Sequence, residues 1–220
     1  PRKAKPFFEK EHGEKYSLVL PIDKGKIGLP QGISKGQHVL SFLTQLLSPV
    51  DSISDFSKLP IPFFCIATDV ETGNQVKLTS GSLPLALRAS GSFPTLLDPI
   101  EINGKLLVDG GIANNFPVDE MKKMGVDIII GVDVQSELFK KEKIKTVLDV
   151  LGQISNYQIY KRNAEQVAKT DVYIHPDIYD YSVVSFDKSL EILSKGVQIG
   201  KKFSKTFDSI AKLQSIKRKP

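Results

Sequence analysis

The chain has 220 residues, of which 40% are hydrophobic and 25% are charged, and its formal net charge is +5. These are ordinary values for a globular protein and exclude the fibrous and disordered classes. The apolar runs are far shorter than a membrane span requires, and the length suits one domain with a sizeable core better than two. We therefore predict a single domain over residues 1–220, with tails at residues 1–15 and 215–220.

The excess positive charge lies at the two ends of the chain. Arg2, Lys3 and Lys5 open the sequence, and seven basic residues between Lys201 and Lys219 close it. Basic ends attract phosphate groups of lipid or nucleic acid, although a solvated face has the same composition. The basic C-terminal part lacks aromatic residues interleaved on a strand and lacks a base-reading helix signature, so we expect no nucleic-acid partner.

Apolar periodicity and turn residues predict both strands and helices in the first half. The predicted strands are YSLVL, FFCIATDV and QVKLT, the last two joined by the turn ETGN. HVLSFLTQLL has helical spacing, with Ser34 as a candidate N-cap. SLPLALRAS predicts a short helix that ends near Ser90 and Gly91.

A tight hairpin is predicted next. The strand candidates PIEI and KLLV are separated by Asn103 and Gly104, the pair preferred in a type I′ turn. The second arm of this hairpin runs directly into Asp109.

The second half predicts helices that alternate with buried strands. IANNFPVDEMKKMG contains a short helix, and VDIIIGVDV is apolar almost throughout, as in a central strand covered on both faces. A long amphipathic helix, the short strand DVYIHPD and a single basic helix over residues 187–214 follow. This alternation predicts an α/β fold with three α/β/α layers and a mostly parallel sheet with hairpin additions.

Asp109 is the candidate catalytic residue. A carboxylate at the end of a buried strand can have a raised pKa and act as a general base. Asp-Gly also favours a hairpin turn, but Asn103 and Gly104 already form one, and no third strand follows Asp109. Gly110 and Gly111 are expected to support the site, because glycine adopts positive φ and lets the chain turn away from the carboxylate.

Residues 32–36, GISKG, match the G-x-S-x-G pattern of a nucleophile elbow. An elbow requires a strand that runs directly into the serine. The residues before Ser34 read as a loop, so we expect Ser34 in a loop or helix cap, out of reach of Asp109.

Other chemistries have little support. His12, His38 and His175 do not pair with Cys, Asp or Glu at metal-ligand spacing, so no metal is expected. The chain has no G-x-G-x-x-G sequence and no phosphate-binding lysine loop, so we expect no nucleotide cofactor, and no other cofactor. Cys65 lies within an apolar run and is expected to be an inert, buried thiol.

Three stretches resemble, in order, the second half of a patatin-like phospholipase domain: IPFFCIATDVETGNQVKLTSG, LPLALRASGSFPTLLDPI and GKLLVDGGIANNFPVDEMKKMGVDIIIGVDV. The similarity covers most of residues 16–200 and is strongest from Ile61 to Val134. It rests on Arg88-Ala89-Ser90, Pro94, Asp109-Gly110-Gly111 and Asn114-Asn115-Phe116-Pro117.

The resemblance implies a lipid acyl hydrolase, of the phospholipase A or lysophospholipase type, with a serine–aspartate dyad. Asp109 corresponds to the aspartate, and the glycine loop and true elbow are expected upstream of Pro1. The N-terminal part of the fold would then be missing, and this chain alone would be inactive. The alternative is a non-catalytic lipid-binding or scaffolding module of the same fold.

The implied partners are phospholipid or another acyl ester as substrate. A homodimer and peripheral membrane contact are left open, as is location: secreted, at a bacterial-type cell surface, or cytoplasmic. In the predicted final helix, apolar residues recur near helical spacing and lysines fill much of the remainder. The apolar residues are Leu190, Leu193, Val197, Phe203, Phe207 and Ile210, and the lysines are Lys195, Lys201, Lys202, Lys205 and Lys212. Either this stripe packs on the domain and the lysines are solvated, or the lysines also attract anionic lipid.

Overall fold

The computed structural model describes residues 22–23, 26–27, 32–135, 138–181 and 185–217. The chain divides after Ala113 into two compact units. The predicted strand YSLVL and the tail at residues 1–15 lie outside the described residues. In the predicted tail at residues 215–220, residues 215–217 belong to the last described helix. Among the described residues, no helix combines the length and apolar character needed to cross a membrane.

The first unit contains short strands and two helices before the candidate site. In chain order its elements are β1 (Ile22–Asp23), β2 (Lys26–Ile27), β3 (Gly32–Ser34), α1 (Gln37–Leu46), β4 (Cys65–Asp69), β5 (Gln75–Leu78), α2 (Leu83–Ser90), β6 (Thr95–Leu97), β7 (Ile100–Ile102), β8 (Lys105–Asp109) and α3 (Gly111–Asn114). Helices α1 and α2 lie where the sequence predicts them.

The largest described sheet has the strand order β5-β4-β8-β7 and is antiparallel throughout. The predicted hairpin joins β7 to β8, and both of its turn residues have positive φ, 53° at Asn103 and 74° at Gly104. These are the left-handed angles that a type I′ turn requires. The hairpin therefore sets the register that places Ile102 opposite Lys105 and delivers Asp109 to the far end of β8.

The core of this unit lies between the sheet and α2. Ala67 of β4 and Leu107 of β8 are fully buried, and they cluster with Phe56 and with Ala86 and Ala89 of α2. Two alanines on one face of α2 let the helix approach the sheet closely. This close packing fixes the end of α2 beside the end of β8.

The described part of the second unit contains three longer helices and one strand pair. Its elements are α4 (Val118–Lys122), β9 (Ile130–Val132), α5 (Val147–Val167), β10 (Val172–Ile174), α6 (Ser189–Lys202) and α7 (Ser204–Lys217). Strands β9 and β10 are parallel, with Gly131 opposite Tyr173. Helix α5 begins at a capping box, in which Thr146 and Asp149 each bond the other's backbone N–H.

The run VDIIIGVDV differs from the central strand that its sequence predicts. Only Ile130–Val132 form a strand, and within the described residues this strand pairs with β10 alone. Ile130 and Val132 are 43% and 52% exposed, whereas Gly131 is buried against Phe116. The apolar composition of the run predicts a strand. Whether both faces of that strand are covered depends on which elements pack against it.

The predicted helix over residues 187–214 is two helices. The chain leaves helical geometry at Phe203, where φ is −91° and ψ is 3°, and α7 begins at the next residue. Gly196 and Gly200 lower the helix propensity of the segment just before the break.

The α/β class is confirmed. The parallel part is smaller among the described strands than expected, since only β3–β6 and β9–β10 pair in parallel. Antiparallel pairing prevails in the larger sheet because short turns such as Asn103-Gly104 can connect only antiparallel neighbours.

Candidate active site

Asp109 is the last residue of β8 and lies opposite Ala67 of β4. Its backbone N–H donates a 3.0 Å hydrogen bond to the carbonyl oxygen of Ser92, and the N–H of Gly110 donates a 3.2 Å bond to that of Ser90. The backbone that carries the carboxylate is thus tied to β4 on one side and to the end of α2 on the other.

Two opposing effects act on the Asp109 carboxylate. Burial raises the pKa of Asp109 above its ordinary value, and a hydrogen bond from the backbone N–H of Gly111 to Oδ1, 2.7 Å long, lowers it. Burial is the larger effect. A carboxylate with a raised pKa is a better base at neutral pH, and the Gly111 bond fixes one oxygen while leaving the other free to accept a proton.

Gly110 is required for a different reason from the predicted one. Neither Gly110 nor Gly111 is among the described glycines with positive φ. Instead, a Cβ on Gly110 would lie 1.9 Å from the carbonyl oxygen of Ile66 and 2.4 Å from its carbonyl carbon. The backbone of β4 occupies the space that any side chain would need, so close approach of two chain segments excludes every other residue.

Thr68 supports the turn after Asp109. Its buried hydroxyl donates a 2.7 Å hydrogen bond to the carbonyl oxygen of Asp109 and accepts a 3.2 Å bond from the N–H of Ala113. The hydroxyl joins the end of β8 to the first turn of α3. Sequence reasoning missed this residue, although a hydroxyl within the apolar run FFCIATDV signals a buried group that needs a partner.

Arg88 organises the other side of the site. Its buried guanidinium donates to Ser92 Oγ and to the carbonyl oxygens of Lys35 (3.2 Å) and Asp98 (3.1 Å). Burial lowers the pKa of Arg88, and the negative charge of Asp98 opposes that effect. Ser92 in turn accepts the backbone N–H of Asp109. Arg88 therefore positions the segment that holds Asp109, a role that its family motif did not reveal.

Ser34 lies neither in a loop nor at a helix cap, contrary to the prediction. It ends β3, which pairs in parallel with β6 so that Ser34 faces Leu97. The N-cap of α1 is Gly36, whose φ is +66° and which packs against the Arg88 guanidinium. The sequence hid this strand because it is three residues long and its partner lies about sixty residues away.

The reason given for rejecting Ser34 as a nucleophile, the absent strand, is therefore wrong. The local geometry still differs from an elbow, because Ser34 is not among the described residues with positive φ and its Oγ accepts a 3.1 Å bond from the N–H of Gly36. In the part of the chain that the structure describes, no hydrogen bond joins Ser34 to Asp109.

Cys65, at the start of β4, donates its thiol to the carbonyl oxygen of Ala86 at 3.5 Å. Burial raises the pKa of this thiol to about 11. The thiol is therefore protonated at neutral pH, which agrees with its interpretation as an inert side chain.

Comparisons with known proteins find relatives of this chain. Residues 18–122 match the family Patatin-like phospholipase, and this region includes Arg88, Asp109 and both glycines. The chain is 32% identical over 194 residues to "Neuropathy target esterase sws" of Drosophila melanogaster, which covers 74% of this chain and 13% of the fly protein.

Two further relatives show similar coverage. Identity is 31% to "Lysophospholipase NTE1" of Candida glabrata, over 65% of this chain and 10% of the yeast protein. It is 30% to "Patatin-like phospholipase domain-containing protein 7" of Mus musculus, over 64% of this chain and 12% of the mouse protein. The chain thus spans only a small part of the length of each relative. Residues 18–122 are therefore a region of the patatin-like phospholipase family.

Proposed function

We propose that the chain is the base-bearing part of a lipid acyl hydrolase, with Asp109 as general base. The observation that carries the proposal is the setting of Asp109, a half-buried carboxylate with a raised pKa at the end of β8. Ser92, Thr68 and Gly111 fix its backbone and one carboxylate oxygen. Such rigidity favours proton transfer, because a base must stay within hydrogen-bond reach of the group that it deprotonates.

The reaction requires a serine hydroxyl that attacks the ester carbonyl. Asp109 takes the proton as the Ser–O–C bond forms, and then donates it to the departing alcohol, which leaves an acyl-serine. Water hydrolyses this ester with Asp109 again as the base. In this proposal the serine and the N–H groups that hold the oxyanion come from sequence upstream of Pro1, as the family resemblance implies.

The proposed substrates are phospholipids and lysophospholipids. The family match supports lipid esters as the class, and one relative is named a lysophospholipase and another an esterase. Hydrolysis and acyl transfer to an alcohol share the acyl-serine step, and the accepting molecule decides between them.

A second candidate is a non-catalytic lipid-binding module. This candidate shares the family match and the setting of Asp109 but has no serine that attacks an ester. The two candidates differ in whether any serine reacts with an ester.

Kinetics of the full-length protein provide the test. We expect Asp109→Asn to lower kcat on both a short-chain nitrophenyl ester and a phospholipid by on the order of 10²–10⁴, the usual loss on removing a general base. Ser34→Ala is the matched control and should retain most of the activity. Near-normal turnover by Asp109→Asn would refute the assignment.

A fluorophosphonate probe, followed by peptide mapping, identifies the nucleophile. We expect labelling of a serine other than Ser34. Labelling of Ser34 would restore the elbow interpretation, and a wild-type protein that neither reacts nor turns over ester would support the non-catalytic module.

A further inference from the structure

Helix α6 has two apolar faces, and only one of them is covered. Ile192, Gly196 and Ile199 face a cavity of about 290 Å³ that is also lined by Val132 and Ile174 of the strand pair. This face of α6 is turned toward the strand pair of its own unit through the shared cavity. A surface helix normally has one such stripe, with polar residues opposite it.

The second face is an exposed row of large apolar side chains. We name it the α6 stripe, and its members are Phe186 (73% exposed), Leu190 (79%), Leu193 (63%) and Val197 (50%). Phe186 belongs to the 3₁₀ turn Phe186–Lys188 that leads into α6. Within α6, spacings of three and four residues place Leu190, Leu193 and Val197 on one side of the helix, and Phe186 precedes them in the 3₁₀ turn. A contiguous apolar row of this kind marks an interaction site.

The charges around the stripe are unequal. Lys188 and Lys195, on the flanks of α6, are neutralised by Glu191 and Asp177 at 3.1 and 3.3 Å. Lys201, which follows Val197 by one turn, is exposed and has no ion-pair partner within the described residues. The same is true of Lys202 and Lys205 at the junction with α7.

We propose that the α6 stripe, together with Lys201, Lys202 and Lys205, is a surface that binds bilayers containing anionic phospholipid. Leucine and phenylalanine side chains enter the boundary between head groups and acyl chains, and neighbouring lysines pair with lipid phosphates. The unpaired lysines favour an anionic membrane over a protein partner, since an apolar helix interface alone does not need them. This surface deepens the proposed function by bringing the protein to its substrate, but binding does not require Asp109 chemistry.

Vesicle co-sedimentation of the full-length protein tests the surface. Vesicles of phosphatidylcholine alone are compared with vesicles that also contain phosphatidylglycerol, at low and high salt. Binding should rise with phosphatidylglycerol content and fall with salt, because screening weakens exposed charges. Equal binding to both vesicle types, or no binding to either, would overturn the proposal.

Two variants separate the apolar and basic parts. Leu190→Glu/Leu193→Glu should weaken binding to anionic vesicles by on the order of tenfold or more, because the inserted groups become charged. Lys201→Gln/Lys202→Gln/Lys205→Gln should weaken it by on the order of 100-fold, at about fivefold for each lysine near an anionic surface.

Each variant has a control with the same change in charge. Ile61→Glu/Leu213→Glu changes two exposed apolar residues outside the stripe, and Lys122→Gln/Lys140→Gln/Lys141→Gln removes three exposed lysines elsewhere. Both controls should bind as the wild type does. If the controls lose as much affinity as the stripe variants, net charge and not this surface is responsible.

Sedimentation velocity of the same proteins distinguishes a protein interface. If Leu190→Glu/Leu193→Glu converts a dimer to a monomer while vesicle binding is unchanged, the stripe binds a second copy and the lipid proposal is wrong. Because binding is measured without turnover, its failure is distinguishable from a failure of the hydrolase assignment.

Discussion

At the residue scale, the burial that suits Asp109 to its proposed role as a general base has a cost in stability. Burial raises its pKa because the charged form loses hydration, and the bond from Gly111 compensates only in part. The same desolvation makes the carboxylate a stronger base at neutral pH. Residues selected for reactivity therefore need not stabilise the fold.

The sign of this effect predicts the stability of Asp109→Asn. A folded-state pKa above the unfolded value favours the protonated form, so folding incurs no charge-burial cost below the unfolded pKa and the full cost above the folded pKa. The neutral amide introduced by this substitution avoids the cost at every pH, and its oxygen can still accept the Gly111 bond. We expect the variant to have the higher Tm at neutral pH, with the difference shrinking as pH falls to the ordinary range of an aspartate.

Calorimetry of the full-length wild type and variant, from about pH 4, near the ordinary pKa of an aspartate, up to about neutral pH, measures this difference. A variant that is less stable than the wild type by the same amount at every pH would contradict the role assigned to burial.

Thr68 is the second residue whose contribution can be isolated. Thr68→Val keeps the shape of the side chain but removes the hydroxyl that donates to the Asp109 carbonyl and accepts from the Ala113 N–H, which also donates to the carbonyl oxygen of Gly110. An unsatisfied buried polar group costs about 1–3 kcal/mol. We expect urea denaturation to show a loss of this size, and ester turnover to fall because the turn holding Asp109 loosens. Thr68→Ser retains the hydroxyl and should lose less; an equal loss in both variants would indicate that the methyl group matters instead.

At the element scale, the site depends on how closely β8 and β4 approach where β8 ends. The Gly110 backbone passes against the Ile66 carbonyl, and α2 holds the same segment through Ser90 and Ser92. Strand β4 and the segment at the end of α2 thus both contact the backbone of Asp109 and Gly110, where β8 ends.

Gly110→Ala should disrupt this convergence. The added Cβ meets backbone atoms at 1.9 and 2.4 Å, and backbone in the middle of a sheet cannot move aside as a flexible side chain can. We expect a destabilisation above about 4 kcal/mol, or failure to fold. Gly152→Ala in α5 is the control, since nothing lies within 4 Å of its Cβ, and it should be neutral or stabilising by up to about 1 kcal/mol. Similar stability of the two variants would show that β4 and β8 can separate at no cost.

At the scale of the whole molecule, the proposed chemistry and the proposed membrane surface belong to different compact units. Asp109 lies before the division at Ala113, and the α6 stripe lies after it. Each unit has its own buried cluster, around Phe56 in the first and around Phe116 in the second. The two properties should therefore respond to different substitutions.

We expect catalysis and membrane binding to be separable in the full-length protein. Asp109→Asn should abolish turnover of a soluble nitrophenyl ester and of vesicle lipid while leaving vesicle binding unchanged. Leu190→Glu/Leu193→Glu should reduce turnover of vesicle lipid and leave that of the soluble ester near normal. Turnover of the soluble ester, turnover of vesicle lipid and vesicle binding are measured in parallel for each variant. A variant that altered all three would contradict this separation.

The sequence by itself determined those features whose cause lies within a few residues. The left-handed pair Asn103-Gly104 specified the β7–β8 hairpin, and the proline and glycine around α2 marked its ends. The apolar run before Asp109 placed a carboxylate at the end of a strand, and its motif indicated the family. In each case, backbone sterics or local periodicity is enough to specify the structure.

Only the tertiary structure decided features that depend on distant partners. Ser34 became a strand residue through pairing with β6, and Gly110 was fixed by the backbone of Ile66. The buried hydroxyl of Thr68 acquired its role only when Asp109 and Ala113 lay beside it. Likewise, periodicity showed that Leu190 and Leu193 share a face, but not that this face is exposed. A side chain's burial and hydrogen-bond partners depend on chain segments tens of residues away, and local sequence does not record their positions.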